Sequence, residues 1–382
     1  STMKVYLDNA ATTPMDPEVL EAMLPFIKEN FGNPSSTHAF GRKTKTAIEK
    51  ARKSIASHIN CQPSELYFTS GGTEADNMAL KCAVRDLGVK RIITSPTEHK
   101  AVIESAELLK QQFGVVVEYL DLDEVGRHKS DHLALLLKED ISTIVSLMHA
   151  NNEIGTLIDL KEIGTICKAH GALFHSDTVQ TMGHYAFDLQ ELPIDFITCA
   201  AHKFHGPKGV GFLYVRKELK LRSMIQGGGQ ERQLRGGTEN LYGIVGLGKA
   251  FDLAYADLDE HIQHVRCLKN RMKAELEAHF STIAFNGDTS DEGSLYTVLN
   301  VCLPETENTK MFLFSLDLKG IAASGGSACS SGASKGSHVL TAIGSSTSCT
   351  SVRFSFSRFS TDAEIDYTVA AVKELLSVKE NA

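Results

Sequence analysis

The stretch Thr69-Ser-Gly-Gly-Thr-Glu-Ala-Asp-Asn77 follows an apolar run and opens a helical pattern, with Thr73 and Asp76 spaced as a capping box. Such a turn offers unpaired backbone N–H groups at the positive end of a helix dipole, which suits a phosphate. The same pattern also serves an ordinary strand-to-helix junction. Further along, Ser176-Asp177 ends one apolar run and Ala200-Ala-His-Lys203 ends another. On a parallel sheet both pairs lie at the carboxyl edge, where open α/β proteins bind ligands. A buried aspartate there keeps the ring nitrogen of pyridoxal phosphate protonated, and a lysine of lowered pKa forms a Schiff base with its aldehyde. Taken singly, Asp177 reads as a capping residue and Lys203 as a surface lysine, and on spacing alone Lys208 is a rival. Together, turn, aspartate and lysine fit that cofactor.

The elements that must hold these residues follow from the hydrophobic pattern. Between about residues 17 and 216, short apolar runs at 65–69, 91–95, 115–120, 143–149, 173–176, 195–200 and 211–215 alternate with amphipathic helical patterns. This is the signature of βα units on a mostly parallel sheet. A helix over 161–170 is closed by Gly171. The charged, periodic stretch 247–280 reads as one long helix linking two domains. Beyond it, strands at 298–303 and 351–356 interleave with helices at 309–319 and 362–376, which predicts a smaller α+β domain. Residues 324–348 are dense in Ser and Gly, read as a flexible loop, and hold Cys329.

A chain of 382 residues exceeds what one core usually organises. With 42% hydrophobic and 23% charged residues it falls in the ordinary globular class. A formal charge of −8 provides no footprint for nucleic acid, and no run approaches the roughly 18 apolar residues of a membrane helix. Ser1 and Thr2, ahead of Met3, are read as additions to the native start. The eight cysteines show no C-x-x-C pair or regular spacing, so neither a disulfide framework nor a metal site is expected, and a reducing cytoplasm suits them. Cys82, Cys167, Cys199, Cys267 and Cys302 lie on helical or strand patterns and are expected in the core, while Cys61 and Cys349 remain unassigned.

Over nearly its whole length the chain resembles the cysteine desulfurases, within the aminotransferase class V of fold-type I pyridoxal-phosphate enzymes. The resemblance rests on Tyr6-Leu-Asp-Asn-Ala-Ala-Thr-Thr13, Gly32-Asn-Pro-Ser-Ser36, the turn at 69–77, Thr97-Glu-His-Lys100 and His149-Ala-Asn-Asn-Glu-Ile-Gly155. It continues through Asp177 to Gln180, His202-Lys-Phe-His-Gly-Pro-Lys-Gly209, Arg235-Gly-Gly-Thr238, Ser327-Ala-Cys-Ser330 and Val352-Arg-Phe-Ser355. It implies an α/β fold with a large cofactor-binding domain, 14–257, and a small α+β domain, 258–382 with 3–13. By the same resemblance Lys203 is the Schiff-base lysine, Asp177 pairs with the pyridine nitrogen and Gln180 touches the phenolic oxygen. His99 stacks on the ring and shuttles protons, and Gly72, Thr73 and His202 lie near the phosphate. Thr238 reaches the phosphate of a neighbouring subunit, which implies a homodimer. Arg353 and Asn152 clamp the substrate carboxylate, and a guanidinium fork suits that task.

Cys329 is the nucleophile by the same resemblance. A persulfide carrier must leave a shielded pocket to reach another protein, so a mobile Ser/Gly-rich loop is an apt setting. The implied activity converts L-cysteine to L-alanine and delivers sulfur to an acceptor, as in iron–sulfur cluster assembly or thiolation. Selenocysteine lysis and amino transfer are the alternatives on the same fold. Two departures stand out. Ala200 replaces a serine that bonds the phosphate in many relatives. The chain also stops soon after its last helix, where some relatives carry a tail that docks a scaffold protein, so a scaffold partner is not carried over.

Overall fold

The computed structural model describes residues 3–325, 336–345 and 349–377. Seven strands form its main sheet, in the order Leu66–Thr69, Gly211–Val215, Phe196–Ala200, Leu173–Asp177, Thr143–Ser146, Arg91–Thr94 and Val116–Tyr119. Gly211–Val215 runs against both of its neighbours, and every other pairing is parallel. The other strands therefore end at one edge. Successive side chains of a strand face opposite ways, so alternate residues feed two cores. Ile93, Val145, Ile197 and Phe212 pack under the helices Ala39–Ile59, Leu160–Ala169 and Leu241–Ala256. Their neighbours Ile92, Ile144, Phe196 and Leu213 pack under Gly72–Asp86 and Lys100–Phe113. Covered on both faces, the central strands are apolar runs without alternation, which is why short runs announce them.

A further core lies beyond the helix Leu258–His279. Val265, Leu268 and Met272 of that helix meet Leu299 and Val301, Val352 and Phe354, and Ile365 and Val369. Its sheet is antiparallel, in the order Ser324–Gly325, Cys349–Ser355, Val298–Pro304 and Ala284–Phe285. Val5 and Leu7 join this core, so the first described strand packs with elements more than two hundred residues away. Among the described residues no helix is long and apolar enough to cross a membrane.

Four expectations need correction. The stretch 247–280 is not one helix: it breaks at Asp257, whose φ of −129° and ψ of 40° end Leu241–Ala256 and start Leu258–His279. Thr73 and Asp76 form no capping box, because the helix begins at Gly72 and its cap Gly71 has no side chain to give. Cys267 is exposed on the long helix. Cys302 is not a free core thiol, since it is disulfide-bonded to Cys349 on the adjacent strand, with Cα atoms 5.3 Å apart.

One ion pair ties the main sheet to the segment that carries Thr238. Arg52 reaches Glu231 through two hydrogen bonds of 2.6 and 3.0 Å and donates a third to the Leu66 carbonyl at 2.9 Å. Both side chains are buried. Removing the guanidinium strands a carboxylate away from water, which is worth about 3–5 kcal/mol for a buried pair. Arg52→Met is therefore expected to lower the urea midpoint by that amount of stability. A midpoint equal to wild type would show that Glu231 finds its stabilisation elsewhere.

Candidate active site

Five chain segments leave the sheet at its carboxyl edge and converge on a cleft of roughly 280 Å³. Its walls include Gly72, Thr73, Asp76, His99, Asn152, Asp177, Gln180, Ala200, His202 and Lys203. Most of the expected site residues are therefore brought together. Lys208 is exposed and absent from these walls, so of the two rival lysines it is Lys203 that faces the cleft. Cys329 lies outside the described residues. Thr238 is exposed and lines a separate groove with Phe31 and Tyr242.

The phosphate end is built from backbone. Gly71 adopts φ +150°, a conformation that favours glycine, and its lack of a capping side chain leaves the first N–H groups of Gly72–Asp86 for a ligand. A Cβ on Gly72 would come within 2.7 Å of Val179, so glycine is what keeps the cleft open there. His202 Nδ1 lies 3.0 Å from Thr12 Oγ1. Ala200 brings a methyl group and no hydroxyl to this wall.

The opposite end carries charge. Asp177 sits at the last position of its strand, 4% exposed, and its Oδ1 accepts from the Val179 N–H at 3.0 Å. Burial, and then the neighbouring Asp76 carboxyl, push its pKa well above the usual carboxylate range. Burial also raises Glu98, with the charge of Asp177 adding to the effect. Glu98 Oε1 accepts from the Met148 N–H at 2.9 Å, and Oε2 has no hydrogen-bond partner among the described residues. His99 caps the helix Lys100–Phe113, its Nδ1 accepting from Ala101 N–H at 3.0 Å, so a proton on the neutral ring sits on Nε2.

Lys203 follows the strand Phe196–Ala200 on a short turn. Its Nζ donates to the carbonyls of Ala10 and Ala11 at 2.6 and 3.0 Å. Burial, and then the positive charge of Arg353, bring its pKa down to about 8. Gln180 Nε2 donates to the same Ala10 carbonyl at 3.1 Å. Arg353 enters from the small core. It donates to the Asn152 carbonyl at 2.8 Å and to Asp8 Oδ1 at 3.2 Å, while its buried Nε has no hydrogen-bond partner among the described residues. A buried donor without a partner is costly, and a bound carboxylate would satisfy it.

The sequence profile of the family described as Aminotransferase class-V matches residues 5–368. The chain belongs to this family, among its cysteine desulfurases. The cysteine desulfurase IscS of Dictyoglomus turgidum is 44% identical over 377 residues, covering 98% of this chain and 94% of the relative. That of Methanosarcina thermophila is 43% identical, covering 99% and 93%. Among solved structures, a NifS-like protein superposes with a TM-score of 0.90 at 37% identity, covering 98% of this chain and 100% of the other. The structure described as SspA in complex with cysteine gives 0.81 at 32% identity, covering 94% and 100%.

Three residues of the desulfurase site had no assigned part in the sequence reading. Asp8 holds Arg353, Glu98 lies beneath the turn of His99, and Asp76 lies against Asp177. Asp8 and Glu98 stood inside quoted motifs, which mark the segments but give neither residue a role. Asp76 was taken for a cap.

The lowered pKa of Lys203 has a measurable consequence in the cofactor-free protein. The neutral amine is the reacting form, so its fraction rises steeply as pH climbs toward 8. Reductive labelling with a small aldehyde is expected to modify Lys203 with a midpoint near pH 8. Peptide mapping checks this, and a Lys203 peptide unlabelled until far higher pH would contradict it.

Proposed function

We propose that this cysteine desulfurase converts L-cysteine to L-alanine on pyridoxal phosphate, leaving the sulfur as a persulfide on Cys329 for an acceptor protein. The observation that carries the reading is the convergence of Lys203 and Asp177 on one cleft, with Arg353 bonded to the carbonyl of Asn152 in its wall. The cleft fits the cofactor: uncapped N–H groups for its phosphate, a buried carboxyl for its ring nitrogen and a lysine of lowered pKa for its aldehyde. When bound, the cofactor supplies an electron sink for charge developing on the substrate's α-carbon.

The chain's own residues do the rest. Gly72, Thr73 and His202 would hold the phosphate, Asp177 and Gln180 would fix the ring, and His99 in the same cleft would pack against it. Arg353, steadied by Asp8 and the Asn152 carbonyl, receives the substrate carboxylate, and Asn152 assists. Lys203, whose pKa lowered to about 8 leaves a neutral fraction at physiological pH, takes the α-proton. Cys329, as thiolate, forms an S–S bond to the substrate sulfur as the C–S bond breaks. The three-carbon remainder gains protons and leaves as alanine, so carbon is reduced while sulfur is oxidised.

We further propose that a second copy covers the groove beside Thr238, where Phe31, Phe40 and Tyr242 are 70%, 60% and 47% exposed. Apolar exposure of this extent is what an obligate partner buries. A reducing cytoplasm remains the proposed location, because the reaction consumes a free thiol. The Cys302–Cys349 bond is the feature that runs against it.

Cys329→Ser is expected to keep cofactor and L-cysteine binding, both read by absorption, while alanine and persulfide production fall to background. A hydroxyl is too weak a nucleophile at neutral pH to take the sulfur. Alanine formed at the wild-type rate would remove Cys329 from the mechanism. Arg353→Ala is expected to raise KM for L-cysteine at least roughly tenfold, since a charged hydrogen bond contributes about 1.5–3 kcal/mol. An unchanged KM would reject the carboxylate clamp.

A further inference from the structure

Asp76 takes no part in the reaction as described, yet it is buried against a residue that does. It stands on the helix Gly72–Asp86, 1% exposed, and lines the same cleft as Lys203. Its Oδ1 accepts from Thr198 Oγ1 at 2.9 Å and lies 3.3 Å from His175 Nε2. Its carboxyl is also within hydrogen-bonding reach of Asp177.

The direction of the hydrogen bonds behind it can be worked out. Thr198 spends its proton on Asp76, so at 2.9 Å it accepts from His175 Nε2–H. His175 is fully buried and neutral, its pKa lowered by burial to about 4. Its Nδ1 then accepts from Ser146 Oγ, 2.7 Å away. Ser146, His175 and Thr198 thus form a chain of donors that ends on Asp76. Two carboxyls in contact away from water cannot both be ionised, and they hold one proton between them. Asp177 accepts the single N–H of Val179, whereas the hydroxyl given to Asp76 is strengthened by the donors behind it, which favours the anion on Asp76.

We propose that Asp76 is a positioning residue for Asp177: it is the anionic member of a buried carboxyl pair that holds one proton, and it fixes how Asp177 meets the cofactor's ring nitrogen. The inference rests on the function proposed above. The other titratable groups in range are Glu98 and His99 from the turn before Lys100–Phe113, and Lys203 across the cleft.

The pair's charge predicts how cofactor affinity depends on pH. Burial raises Asp76 to about 6. Below that pH the pair takes up its second proton, becomes neutral and attracts the protonated ring less. Affinity for the cofactor therefore falls on the acid side. In Asp76→Asn the stronger acid of the pair is gone and Asp177, which burial makes the weaker one, must carry the negative charge, which moves the acid limb to higher pH. In Thr198→Val, Asp76 loses a donated hydrogen bond, which moves the limb to higher pH.

Cofactor-free wild type and both variants are titrated with pyridoxal phosphate, and the dissociation constant is followed against pH by fluorescence quenching. His99, Glu98, Lys203 and the cofactor's own phosphate are common to all three proteins, so a displacement between the curves isolates Asp76. The expected result is an upward shift of the limb by about one unit in both variants, roughly tenfold in dissociation constant along the limb. Loss of packing alone would weaken binding at every pH and would not displace the limb. Superimposable limbs would overturn the proposal while leaving the function standing. A wild type that bound no cofactor would overturn both. Should Asp76→Asn fail to fold, the upward shift in Thr198→Val decides the matter, and its absence rejects the proposal.

Discussion

Asp76, Glu98 and Asp177 bring three carboxyl groups into one region at the sheet's carboxyl edge, each at most 4% exposed. Removing a carboxylate from water costs far more than a fold can spare unless hydrogen bonds or positive charge replace the lost hydration. The replacement here is mostly fixed N–H and O–H groups: Met148 for Glu98, Val179 for Asp177 and Thr198 for Asp76. Such donors help only if they cannot drift. The sheet packed on both faces supplies that rigidity, and the strand ends inherit it. Lys203 depends on the same balance, since burial and Arg353 lower its pKa while Asp177 and Asp8 raise it.

Substrate selection comes from a different part of the molecule. Arg353 belongs to the strand Cys349–Ser355, paired with Asn300 on one side and Ser324 on the other. Strand register therefore sets where the guanidinium points, and a slip of one residue would turn it to the opposite face. Asn300 Nδ2 also donates to the Glu153 carbonyl at 2.9 Å, which ties that register to the segment carrying Asn152. Ser337 Oγ bonds Glu153 Oε1 at 2.5 Å and His338 Nε2 lies 2.8 Å from the Glu98 carbonyl. The described segment after Cys329 is thus anchored on the turns that carry His99 and Asn152.

Six of the seven main strands were legible because each is a short apolar run fully or nearly buried on both faces, while the half-exposed edge strand Val116–Tyr119 showed through its β-branched and aromatic residues. Their ends were less so: the run 143–149 stops being strand at Ser146, since Leu147 and Met148 stay apolar while the chain turns toward Asn152. The break at Asp257 left no trace in a charged periodicity that continues on both sides of it. Thr73 and Asp76 share the spacing of a capping box with any two residues one helical turn apart, and Asp76 finds its partners in Thr198 and His175. The Cys302–Cys349 bond spans 47 positions and depends on strand register, which no local pattern shows. The site residues at strand ends could be read, because position at the carboxyl edge follows from the strands. Asp8 could not, because its role is defined by Arg353.

The contact between the segment 8–11 and the strand Cys349–Ser355 gives the molecule a temporal order of assembly. Asn9 Nδ2 bonds the Ser355 carbonyl across 346 positions, and Asp8 pairs with both Arg353 and Ser324. A chain emerging from the ribosome makes its early residues wait for these partners, whereas the strands from Leu66 to Val215 already hold the aspartate and lysine. A half-made chain therefore owns a reactive amine before it owns the arginine that chooses what the amine meets. Discrimination among amino acids is the last property that translation confers.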